Sequence, residues 1–308
     1  MDFSFYTKKL KRVFFLAFFI STTFLYSSTL NLSISSNPSR INPILASDNS
    51  SSQISSWIFN GLVKYDKNGN IVNDLASSYK FINTTTLQIT LKKNILWQDN
   101  IQCTADDIIF TYDTIMNPKV FTSLKSSFNY VKSVKKIDKY TVEIKYKEPY
   151  FKALHIWTVG LLPYHILKNE TNLMQSSFNK KPIGTGSYKL ISMKNSSDII
   201  LEANDKYFDS KPNIEKITYK FIADSTTSFF SLLQHKLDIG SLTPLQINRQ
   251  INKNFKNYYQ IIEKPSFGYT YMGFNLSNKK FKNHKIREAI SLAVNRQELV
   301  DILFFGHG

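Results

Sequence analysis

Apolar and polar residues alternate over Thr29–Ile34 (TLNLSI), the period of a strand with one buried face. Residues 35–52 are rich in Ser, Asn and Pro and read as a loop. Ile54, Trp57 and Ile58 then recur at helical spacing, and Gly61 is expected to end that helix. Residues 62–66 read as a strand, Asn68-Gly69 as a tight turn, and 78–83 with 86–92 as a hairpin. Thr104 opens a second helix with Asp107 as its capping-box acid. Ile108, Ile109, Tyr112, Ile115 and Met116 form its buried stripe, and Pro118 stops it. Strands are expected over 130–137 and 140–146, flanking Asp138-Lys139. A second hairpin is expected over 186–193 and 198–203, and a strand over 214–222. Asp224 caps a helix carrying Phe229, Phe230, Leu232 and Leu233. Leu237-Asp238-Ile239 reads as a short strand, Thr243-Pro244 as a helix start, and 258–263 and 269–275 as strands. The chain runs out in helices, with Asn295 and Glu298 as a capping pair before Gly306. No fixed-period repeat is present.

The first thirty residues follow a different pattern. Lys8, Lys9, Lys11 and Arg12 precede the unbroken apolar run 13–20 (VFFLAFFI), and small residues Ser27, Ser28 and Thr29 follow. This is the layout of a secretory signal peptide, with cleavage expected near Ser28. The strictly apolar part is shorter than the ~20 residues a spanning helix needs. An uncleaved anchor stays open as the alternative, because the cleavage site is not a clean small-x-small match. No Cys follows the run, so the pattern is not that of a lipoprotein.

With 308 residues and 42% hydrophobic content the chain can build two domains, and disorder is excluded as its main state. One cysteine, Cys103, excludes an intrachain disulfide framework. Lys+Arg of 39 against Asp+Glu of 23 gives a net charge of +16, which raises nucleic acid or an anionic surface as partners. Only 5 of those basic residues are Arg, and the lysines are spread along the chain. Bidentate recognition of bases and phosphates favours Arg, so the lysines read as a solvated surface.

Candidate chemistry is sparse. Asp106 and Asp107 are sequence neighbours at a helix start, where capping explains them. Gly184 and Gly186 do not begin a phosphate loop, because the third glycine of that fingerprint falls at Lys189. His155, His165, His235, His284 and His307 show no HExxH spacing, and no nucleophile motif surrounds any Ser, Cys or Asp. Trp57, Trp97 and Trp157 read as core.

An ordered set of motifs runs from residue 60 to the end. Asn60-Gly61-Leu62-Val63-Lys64-Tyr65-Asp66 and Asn73-Asp74-Leu75-Ala76 come first. Trp97-Gln98-Asp99-Asn100 with Thr104-Ala105-Asp106-Asp107 follows. Then come Ile183-Gly184-Thr185-Gly186-Ser187-Tyr188-Lys189-Leu190, Leu201-Glu202-Ala203-Asn204 with Tyr207-Phe208, and Asp224-Ser225-Thr226-Thr227. Gly273-Phe274-Asn275, Arg287-Glu288-Ala289-Ile290 and Val294-Asn295-Arg296 close the series. Each is weak alone; in this order they resemble family 5 of the bacterial extracellular solute-binding proteins. These are the oligopeptide- and dipeptide-binding components of peptide and nickel ABC importers. Asn100, Ser187 and Asn73 depart from the residues usual there.

The resemblance implies a mixed α/β, two-lobed type II periplasmic-binding-protein-like fold whose second lobe is largely missing. Residues 29–65 and 180–283 would form a discontinuous first lobe, 66–179 an inserted subdomain and 284–308 the start of the second lobe, after a signal peptide over 1–28. Ligand contacts would come from Ser47, Asp48 and Asn49 after the first strand, from Ser241 and Leu242, and from Tyr269 and Tyr271 near the hinge. The implied function is periplasmic capture of a peptide or other small solute by a monomer, delivered to the permease subunits of an inner-membrane ABC importer. No catalysis, cofactor, metal or nucleic acid is implied. A nickel or metal-chelate carrier is the alternative within the family; a secreted hydrolase or a basic surface-binding protein is the alternative outside it. The expected fragment would bind peptide weakly or not at all by itself.

Fractionation of cells expressing the chain is expected to yield a shortened product outside the cytoplasm. A full-length product confined to the cytoplasm would count against export.

Overall fold

In the computed structural model, residues 28–193, 198–263 and 269–306 are described; the apolar N-terminal run and His307 lie outside them. The described strands are β1 (Thr29–Ile34), β2 (Val63–Tyr65), β3 (Ile71–Asn73), β4 (Ala76–Asn83), β5 (Thr86–Leu91), β6 (Val131–Lys136), β7 (Thr141–Tyr146), β8 (Tyr188–Met193), β9 (Ile199–Ala203) and β10 (Lys216–Phe221). They form two four-stranded sheets, in the orders β1-β10-β9-β8 and β4-β5-β7-β6, and the small pair β2-β3. Pairing is antiparallel except between β1 and β10, where Thr29 faces Lys216 and Ile34 faces Phe221.

Helix α1 (Asn49–Ile58) lies against β8, and the Trp57 indole N–H donates to the Tyr219 hydroxyl of β10 at 2.8 Å. Helix α2 (Ala105–Met116) covers the inner face of the second sheet along β6 and β7. Leu87, Ile89, Val142 and Ile144 of that sheet and Ile108 and Ile115 of the helix are fully buried in the same core. Both sheets share one apolar core.

Thr104 and Asp107 form the expected capping box. Asp107 does more than cap: its carboxylate accepts from the backbone N–H of Thr104 and of Tyr164, both at 2.8 Å. Burial pushes its pKa up, and these two bonds pull against that rise. One side chain therefore ties the start of α2 to the short helix that follows Pro163.

The chain divides into compact units Met1–Phe221 and Ile222–Gly308. The second has a small core of Phe229, Leu232, Leu237 and Phe255, capped by Asp224 and by a Thr243–Gln246 box. Its two last long helices, His284–Ala293 and Arg296–Phe304, contain no buried residue.

The expected strands at 237–239, 258–263 and 269–275 do not form among the described residues. Tyr258 instead ends a helix, Lys253–Tyr258, capped by Asn252. Alternation makes a strand only when a neighbouring strand accepts its backbone bonds, and none pairs there. Gly61 does not end α1, which stops at Ile58. Its role is close approach: a Cβ there would lie 2.6 Å from the Thr158 carbonyl carbon. Strand β3 has three residues, too few for a period of two to register.

Replacing Asp107 by Ala leaves two backbone N–H donors without their carboxylate acceptor and is expected to cost about 2–4 kcal/mol. Urea unfolding of D107A would check this; an unchanged midpoint would show that the cap is dispensable.

Candidate functional site

The loop between β1 and α1 is held by hydroxyls. Asp48 is the N-cap of α1: one carboxylate oxygen accepts from the Ser51 backbone N–H and the other from the hydroxyls of Ser39 and Ser51, each at 2.7 Å. Ser51 in turn accepts from the backbone of Ser39 and Arg40, and Ser36 pairs with Ser50 at 2.7 Å. Partial burial raises the Asp48 pKa, but the bonds from Ser39 and Ser51 outweigh it and hold the carboxyl below its ordinary value. Asp48 is thus spent on its own loop. Its neighbours Ser47 and Asn49 are exposed.

Behind this loop, the Gly184-Thr185-Gly186 turn packs onto the last turn of α1. Gly186 N–H donates to the Ile58 carbonyl at 2.7 Å, and a Cβ on Gly184 would collide with that same oxygen. Thr185 donates to the Asn60 amide oxygen at 3.2 Å. The Asn60 amide nitrogen donates to buried Asp74 at 2.9 Å, whose other oxygen faces the Lys64 ammonium at 3.1 Å. Gln98 bridges across: its amide donates to the Tyr188 carbonyl at 2.7 Å and accepts from Gly184 N–H at 3.2 Å. Residue patterning did not single out Gln98 or Asn60 as joints; both sit inside quoted motifs, which is the signal that pointed to them.

The other expected contacts lie in the second unit. Ser241 is exposed, while Leu242 packs on the Phe229 core. Tyr269 and Tyr271 are 84% and 76% exposed, with ring centroids 5.9 Å apart. Two residues apart in extended chain, they form an aromatic pair open to solvent.

Two concavities of the described residues lie elsewhere. One of about 600 Å³ is bounded by Phe110, Val120, Leu167 and Leu173; another of about 380 Å³ lies beside Ile247, Ile251 and Tyr259. Neither is lined by the expected ligand contacts.

Three imidazoles have a polar partner: His165 with Asp99 at 2.7 Å, His155 with the Tyr65 hydroxyl at 2.9 Å, His284 with Glu288 at 3.6 Å; His235 stacks on the Tyr258 ring at 3.8 Å. Among the described residues no three His, Cys, Asp or Glu side chains converge as a metal site. The Cys103 thiol is fully buried, and burial, reinforced by Asp107, pushes its pKa up, away from the reactive thiolate. No described helix is long and apolar enough to cross a membrane.

Against this geometry, comparison with known proteins is specific. The model of the family described as "Bacterial extracellular solute-binding proteins, family 5 Middle" matches residues 70–308. The oligopeptide-binding protein AppA of Bacillus subtilis is 31% identical over 277 residues, covering 88% of this chain and 50% of that protein. A putative ABC transporter peptide-binding protein of Brucella ovis is 31% identical over 254 residues, covering 80% and 47%. Among solved structures, NikZ from Campylobacter jejuni in complex with Ni(L-His) superposes with a TM-score of 0.83 at 30% identity, over 92% of this chain and 56% of that one. AppA from B. subtilis in complex with a nonapeptide gives 0.83 at 29% identity, over 90% and 56%. The chain spans about half the length of the curated relatives it matches.

Two outcomes are expected. Gly184→Ala should destabilise by about 3 kcal/mol, since backbone and not a yielding side chain blocks the new methyl; a thermal midpoint equal to the parent's would refute the close packing. Asp48, with its pKa lowered in the folded state, contributes stability that is present above the ordinary Asp range and lost as pH falls through its folded value. Asp48→Asn keeps a capping acceptor but carries no charge, so its urea midpoint should fall less steeply than the parent's from about pH 5 to about pH 2. Parallel slopes would assign the acid sensitivity to other carboxyls.

Proposed function

The chain belongs to the bacterial extracellular solute-binding proteins of family 5, and on that premise we propose that it captures a peptide-like solute outside the cytoplasmic membrane for an ABC importer. The observation that carries this reading is the superposition on peptide-bound AppA over 90% of the chain, joined to the sequence identity with the same protein. The signal-peptide layout of residues 1–28 fits a periplasmic protein that meets permease subunits at the inner membrane. Binding of this kind makes and breaks no bond.

Within this proposal the loop of Ser47 and Asn49 supplies hydroxyl and amide partners for peptide main-chain groups, and Asp48 fixes the loop that presents them. Ser241, Tyr269 and Tyr271 are further proposed contacts, with Leu242 packed on the Phe229 core. The superposition on NikZ favours one second reading, a nickel–chelate carrier.

A thermal-shift series separates the two. Saturating ligand adds RT ln(1 + [L]/Kd), about 2.7 kcal/mol at a hundredfold excess. Short peptides at millimolar concentration are expected to raise Tm by less than that saturating value, in keeping with the weak binding the sequence predicts, while nickel with L-histidine leaves it unchanged. A rise with the chelate alone transfers the reading to metal carriage, and no rise with either overturns solute capture by this chain.

A further inference from the structure

Solute capture leaves unused an aromatic and basic rim at one end of the β4-β5-β7-β6 sheet. Strand register gathers Thr86, Lys145 and Val131 at that end, with Thr86 opposite Lys145 and Val131 opposite Tyr146. Past Tyr146 the chain turns back, and Lys147 N–H donates to the Tyr130 carbonyl at 2.9 Å. The Tyr130 and Tyr150 rings stack 4.3 Å apart and 6° from parallel, and Phe151 meets Tyr150 edge-on at 5.8 Å. Phe151 is 83% exposed.

This exposure is built and not a consequence of a loose loop. The buried Tyr146 hydroxyl donates to the Ala153 carbonyl at the end of the turn and accepts from the Trp157 indole N–H at 3.0 Å. The turn is therefore anchored to the core through Tyr146 and Trp157. Around the rings stand exposed Lys145, Lys147 and Lys152, the last with its ammonium 5.4 Å from the Phe151 ring. Of the nearby acids, Glu143 is paired with Lys145 at 3.2 Å, and Glu148 is exposed in the turn itself.

We propose that this rim is a peripheral docking surface for an anionic phospholipid membrane. Phe151 and the stacked tyrosines enter the headgroup layer, and Lys147 and Lys152 face lipid phosphates. Amphipathic rings with cationic side chains beside them match the two gradients of a bilayer interface, polarity and negative charge. A second copy of the chain fits poorly, because a two-fold through the rim would bring the lysines face to face.

The test is sedimentation of the mature chain with vesicles of phosphatidylcholine alone or mixed with phosphatidylglycerol. Partitioning onto the mixed vesicles is expected to exceed that onto the neutral ones. A Phe151→Ser, Lys147→Gln, Lys152→Gln variant should lose at least about tenfold of it. Lys279→Gln with Lys280→Gln removes the same charge elsewhere and should lose less than about twofold. Equal losses would reduce the effect to net charge, and no preference for the anionic vesicles would leave the rim without this partner; either result overturns the proposal. Phe151→Trp supplies an independent readout. Its emission should shift to the blue on the anionic vesicles, and an unmoved spectrum would equally refute insertion.

Discussion

The first unit depends on one close approach, that of the Gly184-Thr185-Gly186 turn to the C-terminal turn of α1. The Ile58 carbonyl would be an orphan acceptor at a helix end; Gly186 N–H satisfies it. Only a residue without a Cβ lets the two backbones come this near. From that seam the connections spread. Thr185 reaches Asn60, and Asn60 reaches Asp74. Gln98 fastens the motif before α2 to both Gly184 and Tyr188, and Asn204 bonds the Gly186 carbonyl at 3.0 Å. Both sheets and α1 are thereby tied to the same dozen or so atoms.

Buried carboxylates follow from that arrangement. Asp74 and Asp107 lie within the core of a strongly basic protein, yet each is set by directed bonds more than by net charge. Asp107 takes two backbone N–H groups, and Asp74 takes an amide and an ammonium. A charge removed from water needs such partners, or it is neutralised. The excess lysines remain outside, where they shape surface and partner attraction and leave the fold to apolar burial.

The second unit is organised differently. Four buried side chains hold it, aided by the Tyr259 hydroxyl, which donates to the carbonyls of Leu232 and Leu237. Arg249 lies over the Phe305 ring at 5.4 Å. Apolar residues such as Leu292 and Ile302 stay largely exposed on the closing helices. Each of these helices carries a local cap, from Asn283 and Asn295, an interaction written within a few residues of sequence.

That contrast separates what the sequence determined from what the tertiary structure decided. Caps, turns and the strands from Thr29 to Phe221, the short β3 excepted, were legible because each is written within a few residues: Thr104 with Asp107, Asp224 before its helix, alternation in TLNLSI. The family was legible because its motifs recur in a fixed order. The strands expected at 258–263 and 269–275 were not, since a strand is completed by a neighbour and alternation is silent about whether one is there. The candidate site divided along the same line. Asp48 reads as a ligand group in sequence; the structure adds three bonds of 2.7 Å that make it the cap of α1 and the tie of its loop. The demand on a buried or bonded group depends on which distant residues reach it, and only folding brings Ser39 to Asp48 or Gln98 to Gly184.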